Sequence, residues 1–160
     1  MKYIGLFALI CGGVMLVRAY SKRERERLLL CEGFLAFLLH IRIKIGCYLC
    51  PTESLADGFD SPPLRDCGFI DALKKHRRLD LAWSEVSREI ALAEDEKRTL
   101  QCVFSSFGEG YMADGVRLID TASDELSRTT EILRKKVPEN LRLASLVSAT
   151  LLLGLIILFI

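Results

Sequence analysis

Apolar and polar positions divide this chain into long stretches of helical pattern with an uncharged run near each end. Leu28, Leu29, Leu30, Phe34, Leu35, Phe37, Leu38, Leu39, Ile41, Ile43 and Ile45 form a broad apolar surface, broken by Glu32, Arg42 and Lys44. Residues 20–46 therefore read as a helix that needs more than one packing partner. Gly46 is placed to end it, and Cys50-Pro51-Thr52-Glu53 to start a short helix with Pro51 in its first turn. Asp60-Ser61-Pro62-Pro63 reads as a turn. A third helix is expected over Arg65 to Leu79. A fourth is expected over Leu81 to Phe107, where Ile90, Ala93, Lys97, Leu100, Phe104 and Phe107 recur at helical spacing and Trp83 is a core or interface aromatic. The last helix begins after Gly108-Glu109-Gly110 or after Gly115. Leu118, Ala122, Leu126, Thr129, Leu133 and Val137 then step along it by three and four residues, and Pro138 marks a kink or short break. That spacing suits antiparallel packing inside a domain as well as a short coiled-coil seam. No strand pattern or internal repeat competes with the all-α reading.

The uncharged ends suggest a membrane. Leu143 to Ile160 holds no charged residue, and as a helix it would cover about 27 Å, close to a hydrocarbon thickness of roughly 30 Å. Tyr3 to Val17 is also uncharged, with Arg18 and Tyr20 where an interface anchor would sit. Arg18, Lys22, Arg23, Arg25 and Arg27 follow it, which opposes a cleaved signal peptide. Arg134, Lys135, Lys136 and Arg142 precede the C-terminal run. The expected architecture is a membrane-anchored antiparallel helical bundle. Residues 1–20 form an N-terminal transmembrane helix, 21–142 a cytoplasmic helical domain and 143–160 a C-terminal transmembrane helix, with both basic flanks inside. The rival for the terminal run is a buried helix closing the fold.

Charge refines the picture. The formal net charge of +1 conceals a body over residues 28–133 with 12 Lys/Arg and 18 Asp/Glu. The basic collars suit anionic lipid headgroups. The acidic body opposes a nucleic-acid backbone, and no aromatic-interleaved basic stretch supports single-strand binding. Glu89, Glu94, Asp95, Glu96, Asp124 and Glu131 form the candidate partner surface, since an exposed acidic field steers a basic partner.

Catalytic chemistry is harder to build. Cys47 and Cys50 have the two-residue spacing of zinc knuckles and thiol redox sites, and Cys67, His40 and His76 are the further ligands on offer. No second close-spaced pair accompanies them, and a helix rather than a strand precedes them, so the cysteines read as small buried hydrophobes, with Cys11 in lipid and Cys31 and Cys102 on apolar faces. His40 reads as a packed or capped histidine, and His76 in Lys74-Lys75-His76-Arg77-Arg78 as part of a basic helix C-terminus. Glu94-Asp95-Glu96 beside Lys97 and Arg98 reads as a solvated helix face. The glycines near 108–115 lack a phosphate loop's lysine and hydroxyl. No catalytic, cofactor or metal residue is expected.

The layout resembles the stage III sporulation protein AB family of endospore-forming bacteria. The resemblance is carried by Arg23-Glu24-Arg25-Glu26-Arg27-Leu28 through Ile45-Gly46, by Pro51-Thr52-Glu53-Ser54-Leu55-Ala56, by Phe104 to Gly108, by Leu126 to Arg134, by Asn140-Leu141-Arg142-Leu143 and by the terminal Leu151 to Leu158. The chain has Tyr111-Met112 where the family usually has a leucine-glycine step. The resemblance implies a non-enzymatic, multi-pass platform at the mother-cell membrane around the forespore. Its helical region would be similar to the platform proteins of type II secretion and type IV pilus systems. Implied partners are a cytoplasmic ATPase and other stage III sporulation proteins in a multimeric assembly. The alternatives are an unrelated two-anchor sensor or adaptor and, further off, a thiol or metal protein.

Overall fold

The computed structural model describes residues 2–48, 57–107 and 112–159, and every regular element among them is a helix. In chain order these are α1 (Lys2–Tyr48), α2 (Pro62–Asp66), α3 (Phe69–His76), α4 (Leu79–Val86), α5 (Glu94–Ser106) and α6 (Met112–Phe159). They form two compact units. One comprises Arg27–Thr130, and the other brings together Met1–Glu26 and Glu131–Ile160.

The Arg27–Thr130 unit is organised by aromatic side chains. Phe34 and Phe37 on α1, Phe69 on α3, Trp83 on α4 and Phe104 on α5 are all buried. Phe104 stacks on Phe69 with ring centroids 5.6 Å apart and meets Trp83 edge-on at 5.4 Å. Phe34 approaches Phe69 at 5.2 Å and Trp83 at 5.6 Å, both in T-shaped geometry. Edge-to-face pairs of this kind add about 0.5–1.5 kcal/mol each beyond the area they bury. Leu30, Cys31, Leu38 and Ile41 extend the buried stripe of α1, while Leu64, Leu73, Leu79, Leu100, Ile119 and Leu126 close around it. The broad apolar surface expected of α1 is thus covered in part, by buried residues of the short helices and of α6, while Leu29, Leu39 and Ile43 remain exposed.

Two expected helices are each divided. Gly68 has φ +81°, a left-handed conformation that ends α2 and caps the start of α3, so the expected helix over 65–79 becomes two. At Gly33, an added Cβ would lie 3.1 Å from Leu64 Cγ, a close approach that seats α2 directly on the backbone of α1. Arg77, with φ 53°, turns the chain from α3 into α4. The expected helix over 81–107 is interrupted between Val86 and Glu94, where Ile90 and Leu92 are buried and the backbone bonds locally. The short helix expected from Cys50 lies outside the described residues. Pro138 causes no break, and α6 is assigned as a helix across it.

The membrane architecture is corrected. Among the described residues, no helix is long and apolar enough to cross a membrane. The uncharged part of α6 is residues 143–159, about 25 Å at 1.5 Å per residue and short of the roughly 20 apolar residues a span requires. Ser145, Ser148 and Thr150 dilute it further. In α1 the uncharged run from Tyr3 to Val17 is shorter still and carries Gly5, Gly12 and Gly13. Each run is the end of a helix of 47 or 48 residues rather than a separate anchor. The N- and C-terminal transmembrane helices, the multi-pass mother-cell location and the membrane-platform role built on them therefore fall together. Within that unit Ser21, Leu133 and Val137 are buried, and Met15, Tyr20, Ile132, Leu143 and Leu146 are exposed.

The aromatic cluster predicts its own test. Phe104→Ala should cost about 3–5 kcal/mol of unfolding free energy, the range for a fully buried phenylalanine. Leu39→Ala, at a position 44% exposed, should cost less than about 1 kcal/mol. Urea unfolding of both variants makes the comparison.

Candidate docking surface

The acidic residues singled out in the sequence do not all share one environment. Glu96 occupies the third position of α5 and its side chain is only 5% exposed. Its Oε2 accepts a hydrogen bond from the Ala93 backbone N–H at 2.8 Å, so the carboxylate caps the helix that Ala93, lacking a polar side chain, cannot cap itself. Its Oε1 accepts from Arg27 Nη2 at 2.6 Å and Nε at 3.0 Å. Glu96 is therefore an interior group bridging α5 to α1 and is not available to a partner. Arg27, expected to flank a membrane, is the other half of that bridge. Cys31 lies beneath the pair, and burial followed by the Glu96 charge pushes its thiol up to about 12. Such a thiol stays protonated and unreactive.

The other acids remain outside. Glu89, Glu94, Asp95 and Asp124 are exposed. Thr99 on α5 places its hydroxyl 2.9 Å from Glu125 Oε2 on α6 and 3.0 Å from the Asp95 carbonyl oxygen. The single hydroxyl proton serves both acceptors in alternation. This contact sets the acidic turn of α5 beside Asp124-Glu125 of α6. Glu94 is held by Lys97 at 3.5 Å, whereas Glu89, Asp95 and Asp124 make no ion pair among the described residues. Glu131 is also exposed and belongs to the other compact unit. Glu125 was not singled out in the sequence, although its position next to Asp124 on the polar stripe of α6 was the available signal.

A groove of about 470 Å³ opens beside these acids, lined by Trp83, Ser87, Arg88, Glu94, Lys97, Arg98 and Gln101. Sequence reasoning missed it for a geometric reason. On one continuous helix, Arg88 and Arg98 would stand about 15 Å apart along the axis and about 80° apart around it. The break between α4 and α5 brings both to one depression.

The remaining expected residues are scattered. Arg18, Lys22, Arg23, Arg25, Arg134, Lys135 and Lys136 are exposed, with Lys22 paired to Glu26 at 3.6 Å. The side chain of Arg142 lies outside the described residues, as do Cys50 and the side chains of Cys11 and Cys47. Among the described residues, no group of three or more His, Cys, Asp or Glu is arranged to hold a metal ion. Cys67 is partly buried, and Cys102 is exposed rather than on an apolar face. His76 meets Glu85 across α3 and α4 at 2.5 Å, with Lys75 at 3.0 Å, and the His76 and Lys75 contacts hold the Glu85 carboxyl below its usual range. His40 packs against Phe59 at 5.2 Å with a buried, unpartnered Nε2. Burial, and then the Lys44 charge, lowers its pKa.

No family model, curated protein or solved structure matches the chain.

Glu96→Gln keeps an acceptor for Ala93 while removing the charge, and Glu96→Ala removes both. Loss of the pair should cost about 3 kcal/mol, the low end for a buried ion pair because Arg27 is 30% exposed. The alanine variant should be worse by about a further 1 kcal/mol, the value of a helix cap. Equal destabilisation of the two in urea titrations would contradict the capping role. His40 predicts a pH dependence. Its lowered native pKa means that the unfolded chain binds the proton first, so stability falls as pH drops through about 6.5 towards the native value. His40→Phe should flatten the unfolding free energy over that window relative to the unsubstituted chain.

Proposed function

We propose that the Arg27–Thr130 unit is a non-enzymatic docking module that receives a basic protein partner on the exposed acids of α5 and α6. The observation that carries this reading is the Thr99 bridge to Glu125, which gathers Asp95, Asp124 and Glu125 on one outward surface. Carboxylates without internal counterions create a field that accelerates encounter with a positively charged surface. Glu96 is excluded from the surface because it is committed to Arg27. The resemblance to the stage III sporulation protein AB family makes a cytoplasmic ATPase of that assembly the partner we propose. The proposal concerns docking alone.

Capture of the purified ATPase by the full chain in mild salt tests it. The triple variant Asp95→Lys, Asp124→Lys, Glu125→Lys should weaken capture roughly tenfold or more, chiefly by slowing association, and added salt should weaken the unsubstituted chain in the same way. Absence of capture by the unsubstituted chain overturns the ATPase assignment. Capture indifferent to the three reversals overturns the surface.

A further inference from the structure

The groove between α4 and α5 carries the opposite charge from the acids around it. Arg88, Lys97 and Arg98 line it against a single carboxylate, Glu94. Glu94 and Lys97 lie 3.5 Å apart and offset one another. Arg88 and Arg98 are exposed, and neither makes an ion pair or side-chain hydrogen bond among the described residues. Two guanidinium groups thus flank a depression of about 470 Å³ whose remaining polar lining, Ser87 and Gln101, supplies neutral donors. The buried Trp83 sits at its base, 1% exposed and fixed by the aromatic cluster, so the groove has a rigid floor.

We propose that this groove binds carboxylate side chains of an acidic peptide segment in a protein partner, with Arg88 and Arg98 as its clamp. A guanidinium presents paired N–H donors at the spacing of carboxylate oxygens, and two such groups favour two carboxylates or one held from both sides. The groove's volume fits a few side chains and is open enough for an extended segment. The site is independent of the acidic surface on α5 and α6 and stands whether or not an ATPase docks there.

Fluorescence anisotropy with a labelled hexaglutamate peptide, using the full chain, tests the assignment. Binding should be salt-sensitive and absent for hexaglutamine. The double variant Arg88→Glu, Arg98→Glu should weaken it at least tenfold, whereas Arg128→Glu, at an exposed arginine on α6 away from the groove lining, should leave it within twofold. Far-UV circular dichroism accompanies each variant, and Arg88→Gln with Arg98→Gln replaces the reversal if that variant unfolds. Equal loss from Arg128→Glu, or equal binding of hexaglutamine, overturns the proposal. Displacement of the peptide by inorganic phosphate at equal carboxylate and phosphate concentrations identifies a small-oxyanion site and overturns the peptide assignment.

Discussion

Phe104 is the constraint on which the Arg27–Thr130 unit depends. Its ring lies within 6.3 Å of Phe34, Phe37, Phe69 and Trp83, so one side chain on α5 touches α1, α3 and α4 together. The two shortest of these partners, α3 and α4, have eight residues each, too few to be stable alone in water. Their helicity is a consequence of docking onto the aromatic cluster. The same constraint explains why the chain breaks after Val86: the rings of Trp83 and Phe104 meet at 5.4 Å, whereas a straight helix through both would hold them about 31 Å apart along its axis. Burial of Ile90 and Leu92 then holds the connection down.

The interior ion pair is a second constraint, acting on a different part of the same unit. Glu96 satisfies the N-terminus of α5 and the guanidinium of Arg27 at once, so the start of α5 and the middle of α1 are positioned by a single carboxylate. A buried pair of this kind gives little net stability against an apolar replacement, because both ions lose hydration. Its effect is directional. An apolar contact would tolerate rotation of α5, whereas a cap and a bidentate guanidinium contact on the same group do not.

The all-α class, the apolar face of α1 and the core placing of Trp83, Leu100 and Phe104 were legible because helical periodicity reports burial directly. The interruptions were less so. Gly68 falls in a segment whose apolar spacing continues across it, and only its positive φ shows that it separates two helices. Arg77 adopts a left-handed conformation inside a basic run that suggested nothing beyond a helix end. Glu96 sits between Asp95 and Lys97 in what looks like a solvated stretch. Its inward turn follows from the third position of a helix whose N-cap residue is alanine, a relation invisible until the start of α5 is known. The uncharged ends misled for a related reason. Hydropathy measures what a segment lacks, and the helices that contain these segments extend far beyond them.

The break between α4 and α5 joins the core to the surface. It places Trp83 against Phe104, and in doing so it brings Arg88 and Arg98 to one groove that the exposed Glu89 and Asp95 do not line. The two guanidinium groups, a turn and more apart on a continuous helix, are gathered into one depression. No ion pair among the described residues neutralises Arg88 or Arg98 with Glu89 or Asp95, although all four are exposed. Exposed pairs contribute at most about 1 kcal/mol to folding, so stability exerts little pressure to join them. Unjoined, they keep their full complement of donors and acceptors for another molecule, and the geometry that separates them is set by the aromatic core beneath.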